Sequence, residues 1–270
     1  MIDYHLHTYL CRHAQGTLED YVAYARQRGL KEIGFADHFP LYMMDFVPQT
    51  QVTMESHELE TYLQMVEEVA APAHDIKVKT GIEIDYIPEK TEKVSSILEK
   101  KSFDYIIGSV HFMGDWDFTH PYHAHGFEEC NLEEVYGEYF DLVTQACKSG
   151  LIDIIGHVDG VKKFGYRLSE NKLMPYYREV AEILKDNSIC LEVNTAGIDA
   201  PVKEMYPDYL LLKECVKKGV SIVLGSDAHS PEQVGRHFPR AMSLLSEAGV
   251  KEIITWEKRK PFAVSLETIK

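Results

Sequence analysis

The feature that most constrains the fold is the alternation of short, apolar, β-branched segments with longer segments of helical periodicity. A strand, a helix and a second strand in succession require a parallel sheet with crossover helices. The spacing is nearly regular and no linker interrupts it, so one domain is predicted over residues 1–270. Seven strands are predicted, at Ile2–Thr8, Glu32–Asp37, Lys77–Tyr86, Tyr105–Phe112, Ile152–Val158, Ile189–Thr195 and Ser221–Asp227.

Two sheet architectures fit this alternation, an open doubly wound sheet and a closed or distorted barrel. The glycine-rich fingerprint of a dinucleotide fold is missing after the first strand, where HLHTYL stands instead, and this favours the barrel. The first helix has a capping-box pattern, with Thr17 and Asp20 at its start and Gly29 at its C-cap. In a barrel, the long loops Phe39–Met54 and Phe112–Asn131 would overhang the catalytic face. Helices are predicted near Thr17–Arg28, Glu55–Ala71, Lys90–Lys100, Leu132–Ser149, Glu170–Asp186, Tyr209–Lys218 and Pro231–Ala248.

Charge and cysteine usage narrow the classes of partner and location. A formal net charge of −15 without a basic cluster argues against a nucleic-acid partner and favours a small-molecule substrate. No apolar run is long enough to cross a bilayer, and MIDYHLHTYL lacks the features of a signal peptide. We therefore expect no membrane partner and a cytoplasmic location; no pattern indicates an oligomeric state. The five cysteines are scattered and predict buried thiols rather than disulfides.

Metal-binding side chains stand at or just beyond six of the seven predicted strand ends. Residues two apart on a strand point to one face, so a pair such as His5 and His7 can bind one ion. Parallel strands present their carboxyl ends on a common rim, so the sequence predicts that these side chains converge on a metal site. The candidate ligands are His5, His7, His13, His38, Glu83, His111, His157, Asp227 and His229.

Nine ligands exceed what one ion takes, because zinc-like sites use about four protein ligands. Two or three ions that share bridging groups would accommodate them, and Glu83 is the natural bridge because a carboxylate has two oxygens. Imidazole suits zinc, iron or manganese. The isolated histidines His57, His74 and His237 are interpreted as ordinary surface or core residues.

The motifs that carry these ligands resemble those of the PHP family, named after polymerases and histidinol phosphatases. They are DYHLHTYLCRH, FADHF, GIEIDY, GSVHF, GHVD and GSDAH, which occur in family order from residue 3 to residue 229. The segments RHAQGTLEDYV, GHVDGVKKFG, LEVNTAG and VKEMYP are similar to the bacterial histidinol-phosphate phosphatases of that family.

The resemblance implies a distorted (β/α)7 barrel with three divalent metal ions. It places one ion on His5, His7, Glu83 and Asp227, with Glu83 bridging to a second ion on His111 and His157. The third ion would be held by His13, His38 and His229. It also implies hydrolysis of L-histidinol phosphate to L-histidinol and phosphate, with Glu83, Asp227 and His229 as catalytic residues.

The expected chemistry is attack on phosphorus by water that the ions activate, since neither a serine nucleophile elbow nor a CX5R loop is present. Cationic residues near the rim are candidates for binding the phosphate, although each could be a solvated surface charge. Some family members carry an arginine shortly after NTAG, where this chain has Asp199. The candidate phosphate-binding residues are Arg12, Lys162, Lys163, Arg167 and Lys203.

The loop after the fourth strand admits two interpretations. His120, His123 and His125 either line the substrate pocket or lie in a solvent-exposed loop, which is favoured. Nearby aromatic residues could form a lid, namely Trp116, Phe118 and Tyr122.

Three alternative functions stay open at this point. The same site could act on a nucleotide or another small phosphoester. An amidohydrolase-like C–N hydrolase also uses a histidine-rich barrel, but the sequence offers no obvious bridging lysine. A polymerase-associated interaction module is disfavoured by the absence of a polymerase domain.

Overall fold

The computed structural model describes residues 1–268, so the last two positions of the predicted domain lie outside the described residues. Its main sheet has seven parallel strands in the order in which they occur along the chain, which is the order of a barrel and excludes the doubly wound alternative. These strands are β1 Ile2–Leu6, β2 Glu32–Phe35, β3 Lys77–Asp85, β4 Tyr105–Ser109, β7 Ile154–Ile155, β8 Cys190–Asn194 and β9 Ile222–Gly225.

The two edges of this sheet meet just beyond the ends of β1 and β9. Leu6 and Ala228 form a parallel bridge, His7 N donates to Ala228 O at 3.0 Å, and Ala228 N donates to His5 O at 3.1 Å. The sheet is therefore a near-closed barrel, and the prediction of a distorted (β/α)7 barrel is confirmed. All seven strands lie within the segments predicted from the sequence, which extend beyond the observed ends.

Helices follow the barrel strands and overlap the seven predicted helical segments, but the short helix Gly126–Glu129 lies in the segment Phe112–Asn131, which was predicted as a loop. The capping box of Thr17 and Asp20 is present, and Gly29 directly follows the C-cap with a φ of +72°. The predicted helix Pro231–Ala248 instead begins at Phe238, because Gly235 and His237 adopt positive φ angles. The helices are α1 Leu18–Gln27, α2 Glu58–Ala70, α3 Thr91–Leu98, α4 Gly126–Glu129, α5 Leu132–Lys148, α6 Glu170–Asp186, α7 Tyr209–Lys218 and α8 Phe238–Ala248.

Two antiparallel hairpins were not predicted. The first pairs β5 Phe112–Met113 with β6 Trp116–Asp117 in the loop that follows β4. The second pairs β10 Glu252–Glu257 with β11 Lys260–Ser265.

The second hairpin contacts the amino-terminal ends of the barrel strands. The Arg259 side chain forms an ion pair with Asp153, just before β7, at 2.9 Å. The backbone N–H of Arg259 donates to Asp104 O, just before β4, at 2.7 Å. Trp256 N donates to Tyr4 Oη in β1 at 3.0 Å. This hairpin therefore covers the end of the barrel opposite to the carboxyl ends of the strands.

The barrel interior below the rim is filled by aromatic and aliphatic side chains. Tyr105 is buried, and its hydroxyl donates to Tyr4 O at 2.7 Å. Gly34 leaves room for it, since a Cβ there would lie 2.1 Å from Tyr105 Oη. Within residues 1–268, no helix has both the length and the apolar composition needed to cross a membrane. The prediction of buried thiols is confirmed except at Cys130, which is exposed.

Candidate metal centre

The nine predicted ligands come together at the carboxyl ends of the barrel strands. Glu83 is the centre of the group and is only 1% exposed. Its Oε2 lies 3.0 Å from His38 Nδ1 and 3.4 Å from His5 Nε2. Its Oε1 lies 3.1 Å from His157 Nε2 and 3.8 Å from His111 Nε2. One carboxylate thus contacts imidazoles from four different strand ends, as a bridging ligand would.

A second group of imidazoles lies beside the first, with His7 between them. The rings of His7 and His229 stack with centroids 4.0 Å apart, and those of His13 and His229 are 4.6 Å apart. Asp227 Oδ1 lies 3.2 Å from His7 Nε2. Donor atoms of His7, His38 and His229 lie within 4.8 Å of one another, as do those of His38, Glu83 and His111. His38 therefore stands between the two groups.

Several of these polar atoms are buried without a partner in hydrogen-bonding geometry within residues 1–268, although other atoms of the cluster lie close, such as His38 Nδ1 at 3.0 Å from Glu83 Oε2. The buried atoms are Nε2 of His5, His7 and His229, Nδ1 of His7, and Oε2 of Glu83. A buried polar atom without a partner costs about 1–3 kcal/mol, so a native protein rarely keeps several in one place without a ligand. Imidazole nitrogens and a carboxylate oxygen are a donor set suited to zinc, iron or manganese. The residues therefore fit a cluster of divalent cations.

The electrostatics of the cluster favour bound cations. Burial alone would raise the pKa of Glu83, but the imidazoles of His38 and His5 hold it well below the usual range. Burial alone would lower the pKa of His38, but the Glu83 carboxylate raises it to about 9. The carboxylates thus stay ionised and attract positive charge. Metal ions supply this charge when they are bound, and protons on the imidazoles supply it otherwise.

Two carboxylates that contact the candidate ligands were not predicted from the sequence. Glu192 in β8 is 1% exposed; its Oε1 lies 2.6 Å from His5 Nδ1, and its Oε2 accepts from His157 N at 2.8 Å. Asp85 Oδ1 lies 2.7 Å from His111 Nδ1. A carboxylate on Nδ1 fixes the tautomer that leaves Nε2 free to bind a metal. For Glu192, the available signal was a charged residue inside an otherwise apolar segment of β8, which a satisfied core carboxylate would also give.

We expect Glu192→Ala to weaken metal retention and to lower kcat/KM for the expected substrate, L-histidinol phosphate, by about 10- to 100-fold each. This is the usual effect of losing a carboxylate that orients a metal-binding histidine. The substitution leaves His5 without its Nδ1 partner and His157 N without its acceptor. Metal content after dialysis against a chelator, together with kcat/KM, measures the effect. Glu179→Ala on the exposed face of α6 is the control. Wild-type metal retention in Glu192→Ala would contradict this role.

Two of the predicted ligands have a strained backbone. Asp227 has a φ of +52° and His157 a φ of +23°, in a region that non-glycine residues rarely adopt. Backbone strain of this kind is typical of functional sites. There, the surrounding structure holds a side chain in a required position despite the cost of the backbone conformation.

A cavity of about 610 Å³ opens above the cluster. Both long loops contribute to its lining, the first through Thr50, Gln51 and Val52 and the second through residues 117 and 119–121, as predicted. His120 lines the cavity, whereas His125 is exposed and His123 half-buried.

The predicted aromatic lid is not formed as expected. Trp116, Phe118 and Tyr122 lie outside the lining of the cavity. Trp116 packs on Phe127 with ring centroids 4.9 Å apart, and Phe118 is fully buried. The isolated histidines are placed as interpreted, with His57 and His74 exposed and His237 bound to Asp199 at 3.0 Å.

The candidate phosphate-binding residues divide into two sets. Arg12 and Lys163 line the cavity, although Arg12 also forms an ion pair with Glu58. Lys162, Arg167 and Lys203 do not line it.

The cationic groups of those three residues have other partners. Lys162 is 1% exposed, with Nζ 2.9 Å from Asp159 Oδ2 and 2.9 Å from Met205 O. Arg167 pairs with Glu204 and Asp208, and Lys203 is exposed and donates to its own loop. These three residues therefore do not contribute a free cationic group to the cavity.

Arg236 lines the cavity and was not predicted. Its guanidinium donates to Ser226 O at 2.9 Å and to Asp227 O at 2.8 Å, and it lies 3.4 Å from Asp199. The sequence predicts a helix at this position, in which the side chain has no reason to turn toward the rim. The irregular turn before α8 directs it there instead.

Comparisons with known proteins agree with this geometry. The model of the PHP domain matches residues 3–196. A protein from Deinococcus radiodurans named probable histidinol-phosphatase is 35% identical over 96% of this chain and 98% of its own length. The histidinol-phosphatase of Bacillus subtilis is 27% identical over 86% of this chain and 95% of its own length.

A solved structure has the same fold. It is the histidinol phosphate phosphatase of Lactococcus lactis complexed with zinc, L-histidinol and phosphate. The TM-score is 0.84 at 24% identity, and the match covers 97% of this chain and 98% of that one. With a family model that spans most of the chain and a full-length relative above 30% identity, the chain belongs to the PHP-domain family.

Proposed function

We propose that this protein is a metal-dependent phosphomonoesterase that hydrolyses L-histidinol phosphate to L-histidinol and phosphate. The observation that carries the chemistry is the cluster of imidazoles and carboxylates at the floor of a cavity, with unpartnered buried donor atoms. The full-length similarity to relatives named histidinol-phosphatase supports the substrate. A role in histidine biosynthesis and one barrel domain over the whole chain are parts of this proposal.

The proposed ligand set is the one that the family resemblance implies. His5, His7, Glu83 and Asp227 would hold one ion, Glu83 with His111 and His157 a second, and His13, His38 and His229 a third. The central position of Glu83 and the close packing of the His7, His13 and His229 rings support this division. Zinc, bound in the Lactococcus lactis structure, is the first candidate metal, with iron and manganese next.

Divalent ions held by these residues would supply an activated water, with a pKa of about 7, and would neutralise charge on the phosphoryl oxygens. The side chains of the cavity bind and orient the ester. Lys163 and Arg236 supply positive charge beside the cluster, and Arg12 lies at the same cavity. Burial lowers the pKa of Lys163, opposed by the carboxylates of Asp227, Asp117 and Glu83. We infer that water attacks phosphorus in line with the departing alcohol, without a phosphoenzyme.

A turnover panel tests the substrate. We expect kcat/KM for L-histidinol phosphate to exceed that for nucleoside monophosphates, sugar phosphates and p-nitrophenyl phosphate by at least about 100-fold. A site with matched polar contacts rejects analogues that lack them by margins of this size or more. Equal rates on several unrelated phosphomonoesters would refute the histidinol assignment while leaving the phosphatase chemistry. A protein that hydrolyses none of them would refute the phosphatase as well.

A further inference from the structure

Five carboxylates line the cavity, and four of them contact a basic group. Asp85 Oδ1 lies 2.7 Å from His111 Nδ1, and Asp199 contacts His237 and Arg236 at 3.0 and 3.4 Å. Glu83 and Asp227 contact the imidazoles of the metal centre. Among residues 1–268, the fifth carboxylate, Asp117, forms no ion pair, because no side-chain nitrogen of a lysine, arginine or histidine lies within 4.0 Å of its oxygens.

Asp117 is held in place by one of its two oxygens. Its Oδ1 accepts from Thr119 N at 3.2 Å, from Thr119 Oγ1 at 2.9 Å and from His120 N at 3.1 Å. Its Oδ2 accepts no hydrogen bond from the described residues, although the side chain lines the cavity and the residue is only 4% exposed. The hairpin of β5 and β6 fixes the position, since Asp117 pairs with Phe112.

An ionised carboxylate that is this deeply buried is normally paired with a cation. The cavity is also lined by a cationic side chain in a similar position. Lys163 is half-buried and lines the same space, yet its ammonium group forms no ion pair within the described part of the chain. An anionic group and a cationic group on one small ligand would complement Lys163 and Asp117 together.

From this arrangement we propose that Asp117 binds the ammonium group of a zwitterionic substrate, so that the site selects aminoalkyl phosphates. The inference rests on the proposed function and deepens it, because L-histidinol phosphate carries a primary ammonium group on the second carbon from its ester oxygen. The phosphate lies at the metal centre, and Oδ2 of Asp117 receives the ammonium. Asp117 then determines specificity through KM rather than through the chemical step.

Two substrates that differ only in the amino group, assayed with the wild type and with variants of the enzyme, test this proposal. The substrates are L-histidinol phosphate and 3-(imidazol-4-yl)propyl phosphate, which lacks only the amino group. Asp117→Asn keeps an oxygen acceptor for Thr119 and His120 but removes the charge. Asp115→Asn is the matched control, because Asp115 is exposed in the turn of the same hairpin and lies outside the cavity lining.

We expect the wild type to prefer L-histidinol phosphate over the deaminated ester by about 10- to 100-fold in kcat/KM, as for one hydrogen bond to a charged group. Asp117→Asn should lose a similar factor on L-histidinol phosphate, mainly in KM, and change less than about threefold on the deaminated ester. Asp115→Asn should match the wild type on both. Competitive inhibition gives a second readout: Asp117→Asn should bind L-histidinol more weakly and inorganic phosphate as before.

Three results would overturn the inference. Equal losses on both substrates would show that Asp117 only supports the loop. Unchanged kinetics on L-histidinol phosphate would show that another group receives the ammonium, with the proposed function intact. Failure of the wild type to hydrolyse L-histidinol phosphate would remove both the proposed function and this inference, and the wild-type assay alone distinguishes that case.

Discussion

Replacing Glu83 by glutamine is expected to lower kcat/KM for L-histidinol phosphate by at least about 10³-fold. Glu83 contacts imidazoles from four strand ends and is the proposed bridge between two ions. An amide has the same shape but no charge, so the bridge loses the attraction that holds two cations at one residue. A bound ion contributes several kcal/mol to a phosphoryl-transfer transition state, and about 4 kcal/mol corresponds to roughly 10³ in rate.

Steady-state kinetics together with metal content measure this effect. Glu89→Gln, six residues further along the chain and exposed, carries the same charge change without contact to the cluster and should match the wild type. A circular dichroism spectrum like that of the wild type would show that the barrel still forms. Near-normal turnover and metal content in Glu83→Gln would contradict the role of Glu83 as a bridging ligand. Asp227→Ala and His7→Ala should likewise abolish turnover.

Removing the metal ions is expected to abolish turnover and to lower Tm. A ligand at a hundred times its Kd stabilises the folded protein by about 2.7 kcal/mol. For a domain of this size, roughly 2–4 °C of Tm is lost per kcal/mol, which gives about 5–10 °C for each ion removed. Without the ions, the unpartnered donors of His5, His7 and Glu83 remain buried and unsatisfied.

Differential scanning calorimetry and activity, measured before and after dialysis against a chelator, test this prediction. Restoring zinc, iron(II) or manganese separately should recover both Tm and activity, and the ion that does so at the lowest concentration identifies the preferred metal. Addition of chelator already saturated with zinc is the control for effects of the chelator itself. Full activity and an unchanged Tm in protein shown to be metal-free would contradict the proposal.

The convergence of the candidate ligands could be predicted from the sequence because strand topology gathers them. His5, Glu83, His111 and Asp227 each stand at the end of an apolar segment, and parallel strands end at one rim. A candidate metal ligand is visible in local sequence alone, since it needs only a suitable ligand atom at the carboxyl end of a strand. The alternation of strands and helices predicts a parallel sheet, and the missing glycine-rich fingerprint after the first strand favours the barrel over an open sheet.

What could not be predicted depends on contacts between distant segments. Glu192 orients His5 from a residue 187 positions away, and nothing local distinguishes it from a satisfied core carboxylate. Lys162 is adjacent to Lys163, yet it turns into a buried ion pair with Asp159 while its neighbour lines the cavity. Arg236 reaches the rim only because the chain before α8 turns irregularly. The direction of a long side chain is determined by packing, which a sequence pattern does not specify.

Anomalous diffraction from crystals of the purified, active protein is the most direct test of the central claim. Data recorded on both sides of the zinc, iron and manganese absorption edges would locate any bound ions. We predict three peaks, at about 2.0–2.3 Å from the imidazole nitrogens and carboxylate oxygens of the cluster, with one pair of ions sharing Glu83. Crystals of protein that hydrolyses L-histidinol phosphate but show no anomalous peak among these side chains would contradict the account.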